Sequence, residues 1–134
     1  MKQIFIIDGN TIENLDGFYE EISSKLPLDG RWGRNLDAFD DILGGGFGTP
    51  DGGFIVQWIN SEKSREKLGH TETVRVLERR LQTCHPSNME AVKRAMAVAK
   101  EGNGPTIFDD LVEIIRNHGM GGSDAGDGIE LYLS

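Results

Sequence analysis

A chain of 134 residues is long enough for one domain with a sizeable core. Its 37% hydrophobic and 27% charged residues exclude a disordered chain, and its single cysteine, Cys84, excludes a disulfide framework or a thiolate metal cluster. The net charge of −8 opposes binding to nucleic-acid phosphates, and no apolar run approaches the ~18 residues of a membrane span.

Ile4-Phe5-Ile6-Ile7 is a short continuous apolar run, the pattern of a strand buried on both faces; Asp8-Gly9-Asn10 turns the chain after it. The stretch before Asp8 is too short and too soon acidic for a signal peptide, so a cytoplasmic location is expected. Asn14 is placed to cap a helix running to about residue 26, with Leu15, Phe18, Tyr19, Ile22 and Leu26 on its inner stripe and Pro27 to stop it. A turn ending in Gly33 leads to Asn35, the expected cap of a second helix over about 35–43. On that helix Leu36, Phe39, Ile42 and Leu43 fall on one side. Asp37, Asp40 and Asp41 fall within roughly 100° of one another on the other. Residues 44–53, rich in glycine, break all regularity.

Residues 54–59 form the second predicted strand, and Ser61 is the expected cap of a short helix through about residue 68. Residues 73–81 are helical by pattern, through Val74, Leu77 and Leu81. Ser87-x-x-Glu90 has the spacing of a capping box for a helix to about residue 101, with Met89, Val92, Met96 and Val98 or Ala99 as its apolar side. Thr106 is placed to cap a last helix with Phe108, Leu111, Val112 and Ile115 inward and Gly119 just past its end. Residues 121–128 form a glycine-rich loop, and 129–133 a closing strand. Three short strands separated by helices predict an α/β fold, a small parallel sheet whose faces are covered by helices. The charge is unevenly spread. Residues 70–105 carry six Lys/Arg and four acids, net +2, leaving eight bases and eighteen acids, net −10, for the flanks.

Familiar reactive patterns are missing. Residues 44–48 lack the lysine and hydroxyl of a phosphate-binding loop and follow a helix rather than a strand. The loop carrying Asp124 and Asp127 lacks the alternating ligands and closing glutamate of an EF-hand. His70, His85 and His118 have no zinc spacing, so no metal site is expected and each histidine is assigned a structural or solvent role. Asp37 and Asp41 could pair as general acid and base, but on a convex exposed helix nothing separates their pKa values, so no catalysis is expected. Asp37 suits the positive first turn of its helix, whereas Asp41 sits near the C-terminal end and repels Asp37 one turn away. Such a cluster costs stability unless a basic partner meets it.

The segment Trp32-Gly33-x-Asn35-Leu36-Asp37-Ala38-Phe39-x-Asp41-x-Leu43 resembles the signature of the barstar family, intracellular inhibitors of a secreted bacterial ribonuclease. The order of elements agrees, from a strand ending in a Gly9 turn to a closing Leu131-Tyr132-Leu133-Ser134, and the resemblance covers about residues 3–68 and 106–134. It implies a three-stranded parallel sheet packed with helices in one domain over 1–134, with a helical insertion at about 69–105 that either thickens the fold or adds a second contact surface. It also implies an immunity protein of a toxin–antitoxin pair: a monomer when free, with no cofactor and no metal, binding neither nucleic acid nor membrane. Its partner would be a basic ribonuclease or ribonuclease-type toxin, whose active site it plugs with the acidic helix.

On that resemblance Asp37 and Asp41 face the partner, with Asp41 mimicking a substrate phosphate, and Asp40, Trp32, Arg31, Asn35 and Gly46 add to the contact. Trp32 has a second assignment as a core residue of the tight turn. Three positions depart from the family pattern, which has aromatics where this chain has Arg31, Asp40 and Gly46. Aromatic anchors carry much interface energy, so a different nuclease and a stronger salt dependence are expected. A basic non-nuclease partner, or a carboxylate-dependent hydrolase, are the alternatives.

Overall fold

The computed structural model describes residues 2–134. Strands β1 (Ile4–Asp8), β2 (Ile55–Ile59) and β3 (Glu130–Leu133) form one parallel sheet in the order β1-β2-β3. Among the described residues six helices connect its strands: α1 (Leu15–Lys25), α2 (Leu36–Leu43), α3 (Ser61–Lys67), α4 (His70–Thr83), α5 (Met89–Lys100) and α6 (Ile107–Asn117). No helix among the described residues is long and apolar enough to cross a membrane.

The register aligns Phe5 with Val56 and Leu131, and Ile7 with Trp58 and Leu133. These residues share one face because side chains alternate along a strand. Against that face pack Phe18 and Ile22 of α1, Phe39 and Ile42 of α2, and Phe108, Leu111 and Ile115 of α6. Trp58 is fully buried between Phe18 and Phe108, both at 5.1 Å between ring centres, and its indole N–H donates to Ser64 Oγ at 2.9 Å.

The other face of the sheet is open, which corrects the expectation of strands covered on both sides. Ile4 is 54% exposed, Ile6 47% and Tyr132 53%. All six helices lie elsewhere or on the Trp58 side, and β1 is an edge strand whose continuous apolar run conceals a one-sided burial.

Local capping mostly follows the sequence. Asn14 Oδ1 accepts from Gly17 N–H at 2.8 Å, and Thr106 forms a capping box with Asp109. Two caps differ. Ser87 does not open α5: its N–H and Oγ are taken by His85 Nδ1 within a 3-10 turn, and α5 begins at Met89 without a side-chain cap. Ser61 is the first residue of α3 rather than its cap, and its hydroxyl donates instead to the Ser134 carbonyl at 3.0 Å.

Helix α4 begins at His70, three residues before the apolar pattern, and runs to Thr83. It pairs with α5 around a separate cluster of Leu77, Val92 and Ala99, so the hairpin has its own small core. Two buried polar contacts attach it to the main body. Glu72, held by Arg75, accepts the Leu15 N–H at the start of α1 (2.8 Å), and Thr73 Oγ1 accepts the Ile107 N–H at the start of α6 (3.0 Å). These are helix-terminal donors that would otherwise lack partners.

Candidate functional site

The acidic helix α2 is built by a short-range device. Asn35 Oδ1 accepts the Ala38 N–H at 2.8 Å, closing the first turn. Arg34 precedes it with φ of 49°, a left-handed conformation that a residue with a Cβ adopts at some cost. Its guanidinium is held by Glu20 and Ser23 of α1, which ties the turn to the body. Trp32 is turned inward. It meets Tyr19 edge-on at 5.2 Å, approaches Phe39 at 6.3 Å, and donates its indole N–H to Ser23 Oγ at 2.8 Å. Asn35 thus serves as a cap and Trp32 as packing, while Arg31 stands exposed beside them.

Beneath the helix, Phe39, Ile42 and Leu43 are buried, and Phe39 packs edge-on against Phe18 at 5.3 Å. Asp37 and Asp41 are exposed on the outer side, and among the described residues no ion pair or side-chain hydrogen bond engages either. The structure therefore presents two uncompensated carboxylates, one turn apart, on a rigidly seated helix.

Asp40 differs. Its Oδ1 lies 2.6 Å from His118 Nε2, while His118 Nδ1 lies 2.6 Å from Asp127 Oδ2. The histidine side chain is 4% exposed, against 50% for Asp40 and 31% for Asp127. Asp124 brings a further carboxylate within 4.8 Å of Asp40 and His118. A carboxylate only accepts hydrogen bonds, so the ring satisfies both contacts at once when both nitrogens carry hydrogen, that is, as an imidazolium. It also caps the C-terminal end of α6, where the helix dipole favours a cation. In this state it has no lone pair to offer a metal.

Burial disfavours the imidazolium, but the hydrogen bonds and charges of Asp127 and Asp40 more than offset it, raising the His118 pKa above the ordinary histidine value. A group with a raised folded-state pKa stabilises fully below its unfolded value, about 6.5, and loses that contribution as pH rises through the folded value. Melting temperature should therefore fall as pH rises from about 6.5 through the raised folded-state value in the wild type, and this step should be missing from His118→Gln. Sequence inspection assigned His118 only a structural or solvent role, because one partner, Asp127, sits nine residues on in an irregular loop and the other, Asp40, lies 78 residues away.

Two loops flank α2. The 44–53 loop folds back on the 27–30 segment, where Asp29 N–H donates to the Phe47 carbonyl at 2.7 Å. A Cβ at Gly48, whose φ is 108°, would stand 2.4 Å from the Pro27 carbonyl oxygen. Gly46 is exposed with open space around it, and the neighbouring Phe47 is 39% exposed, an aromatic that sequence inspection did not single out. On the other flank, a groove of about 300 Å³ separates the start of α2 from α4, with Arg34, Arg79 and Arg80 among its walls.

Comparison with known proteins gives two findings. The family model described as Barstar (barnase inhibitor) matches residues 2–101, a stretch that includes the acidic helix and runs through α4 and α5. A protein of Bacillus subtilis (strain 168), YrdF, provisionally named a ribonuclease inhibitor, is 40% identical over 50 residues. That alignment takes in 37% of this chain and 54% of YrdF, so this chain spans about half the length of the curated relative it matches.

Proposed function

The chain belongs to the barstar family, whose description is that of barnase inhibitors, and on that premise we propose that it binds a basic ribonuclease-type toxin and blocks its active site with α2. The observation that carries this reading is the pair Asp37 and Asp41: exposed, unpaired and set on a helix whose other side is locked into the core. A ribonuclease active site is built to hold phosphates with Arg, Lys and His. Two carboxylates on a fixed support meet that chemistry without the ordering cost of a flexible loop. Asp41 stands for the substrate phosphate, and Asp37 flanks it one turn away.

Asp40 contributes less directly in this reading, since its carboxylate is shared with His118. Arg31 and Gly46 are exposed and add to the contact in this reading, while Asn35 and the half-exposed Trp32 act through the shape of the turn. Phe47, in the loop that follows α2, supplies an exposed aromatic, a class of residue enriched at interfaces. In this reading the α4–α5 hairpin, less acidic than the rest, thickens the fold beside α1 through Glu72 and beside α6 through Thr73.

The test is titration of the purified chain into a panel of ribonucleases, barnase among them, with RNA cleavage as the readout. Stoichiometric loss of activity in at least one supports the proposal, and no inhibition across the panel overturns it. Charge-led binding carries a kinetic signature. The association rate should fall steeply, by about tenfold or more, between low salt and ~0.5 M salt, while the dissociation rate changes little. Stopped-flow mixing measures both.

A further inference from the structure

The buried imidazolium at the end of α6 touches the proposed recognition helix through Asp40 and, among the described residues, hydrogen-bonds to neither Asp37 nor Asp41. We infer that His118 is a positioning residue for α2: gripped by Asp40 on one ring nitrogen and Asp127 on the other, it fixes the helix against α6 and the 119–128 loop, and loss of its proton loosens α2 and speeds release of a bound partner. The inference rests on the proposed function for its second half only. The first half concerns the free chain.

The geometry is that of a clamp with two jaws, Asp40 and Asp127, with further carboxylates around them. From α2 comes Asp40, with Asp37 and Asp41 further out on the exposed side. From the 119–128 loop come Asp127, in contact, and Asp124, close by. From the 44–53 loop, Asp51 lines a small cavity together with Asp127 and, among the described residues, makes no hydrogen bond to the ring. The one cation near it on its own helix is Arg116, which is exposed. The backbone of His118 is fixed independently, since its carbonyl accepts the Ile129 N–H at 2.9 Å and its N–H donates to the Ile115 carbonyl at 3.1 Å. The ring therefore sits on a rigid base, and the jaws are what its proton holds.

Neutral imidazole has one N–H. It can keep one carboxylate but must turn a lone pair toward the other, so one of the two 2.6 Å contacts breaks on deprotonation. Release of Asp40 frees the helix. Release of Asp127 frees the loop that backs it, for a Cβ at Gly53 would stand 2.2 Å from the Gly128 carbonyl oxygen, a measure of how closely that loop is laid against the 52–53 turn. The same event removes a positive charge and leaves the surface more acidic, which favours encounter with a basic partner. The expected effect on the complex is therefore a faster dissociation rate rather than a slower association rate.

Amide hydrogen exchange of Phe39 to Leu43, measured on the free full-length chain from about pH 5.5 to 9 and corrected for intrinsic exchange, tests the positioning role. The His118 ring is titrated by NMR in the same samples. Exchange in α2 should rise about tenfold, the factor expected for loss of one hydrogen bond to a charged group, at the pH where the His118 ring titrates. His118→Gln should show no step. Asp127→Asn, which keeps the shape and an acceptor but drops a charge, should move both the ring titration and the step to lower pH. If His118 titrates with no step in α2 exchange, or if the step persists in His118→Gln, the positioning role is wrong. For the complex, dissociation from immobilised barnase should accelerate over the same pH range in the wild type and not in His118→Gln, and a flat profile in both removes the link to release. Should barnase not bind at any pH, that failure belongs to the choice of partner, and the exchange experiment decides.

Discussion

Replacement of Asp41 by alanine should weaken the complex with the target ribonuclease by about 2–5 kcal/mol, the range for removing one member of a desolvated charge pair, for which this family's own complex is a reference case. The same change should leave the melting temperature unchanged or raise it. Asp41 is exposed, and among the described residues it engages in no ion pair or side-chain hydrogen bond that truncation would lose. It lies in the last turn of α2, next to the carbonyl ends, and the Gly44 N–H already donates to its own carbonyl at 3.1 Å. A carboxylate there opposes the helix dipole and repels Asp37 across one turn, and alanine removes both penalties while raising helix propensity. Calorimetric titration and thermal unfolding of the same variant decide the matter. A large fall in melting temperature would make the carboxylate structural, and an unchanged affinity would remove it from the interface.

Its neighbour provides the contrast. Asp40→Ala deletes one jaw of the His118 clamp, so it should lower stability at pH below the raised histidine value and lose less binding than Asp41→Ala. Adjacent residues of the same type on one helix should thus move stability in opposite directions. No composition or charge count distinguishes them; their neighbours in space do. A polar face on a short helix can hold one group that the fold uses and another that the fold only tolerates. The tolerated group is the better candidate for a partner, because a group with no internal use is retained at a cost to the free chain.

The parts of the molecule legible in the sequence are those fixed over a few residues. Asn14, Asn35 and Thr106 cap their helices because each side-chain oxygen reaches an amide three residues on, and nothing nearby competes. The Ser87 cap fails for the same kind of reason, since His85 reaches the Ser87 amide first. The inner stripes of α1, α2 and α6 are readable because a 3.6-residue period records which side faces the core. A run such as Ile4-Phe5-Ile6-Ile7 carries no such record. Apolar at every position, it fits a strand covered on both faces and an edge strand open on one equally well, and only the placement of the helices decides. The acidic helix was readable as a charge cluster, but the division between Asp40 and its neighbours was not, because it depends on a histidine brought in from the far end of the chain.

Truncation of Trp58 should be the most damaging single change to the fold. Trp58→Ala is expected to cost about 3–5 kcal/mol, against a total stability of about 5–15 kcal/mol for a domain of this kind, and to lower the melting temperature by roughly 10–20 °C. The ring is fully buried on the central strand, touches Phe18 of α1 and Phe108 of α6, and holds the Ser64 hydroxyl of α3. One side chain therefore joins three helices to the sheet. Trp58→Phe separates the two parts of that role: it keeps an aromatic ring but leaves Ser64 Oγ without its donor in a site closed to water, a cost of about 1–3 kcal/mol. The damage should also reach the acidic helix, since Phe18 supports Phe39 edge-on and Phe39 is the central buried residue of α2. Chemical denaturation of the two variants gives the energies, and exchange at the Phe39 amide reports the transmitted part. If Trp58→Phe matched Trp58→Ala in cost, the hydrogen bond to Ser64 rather than packing would dominate at the centre of the fold. The expected order, alanine well below phenylalanine, instead makes the aromatic chain Trp58–Phe18–Phe39 the path by which the core holds the two free aspartates in place.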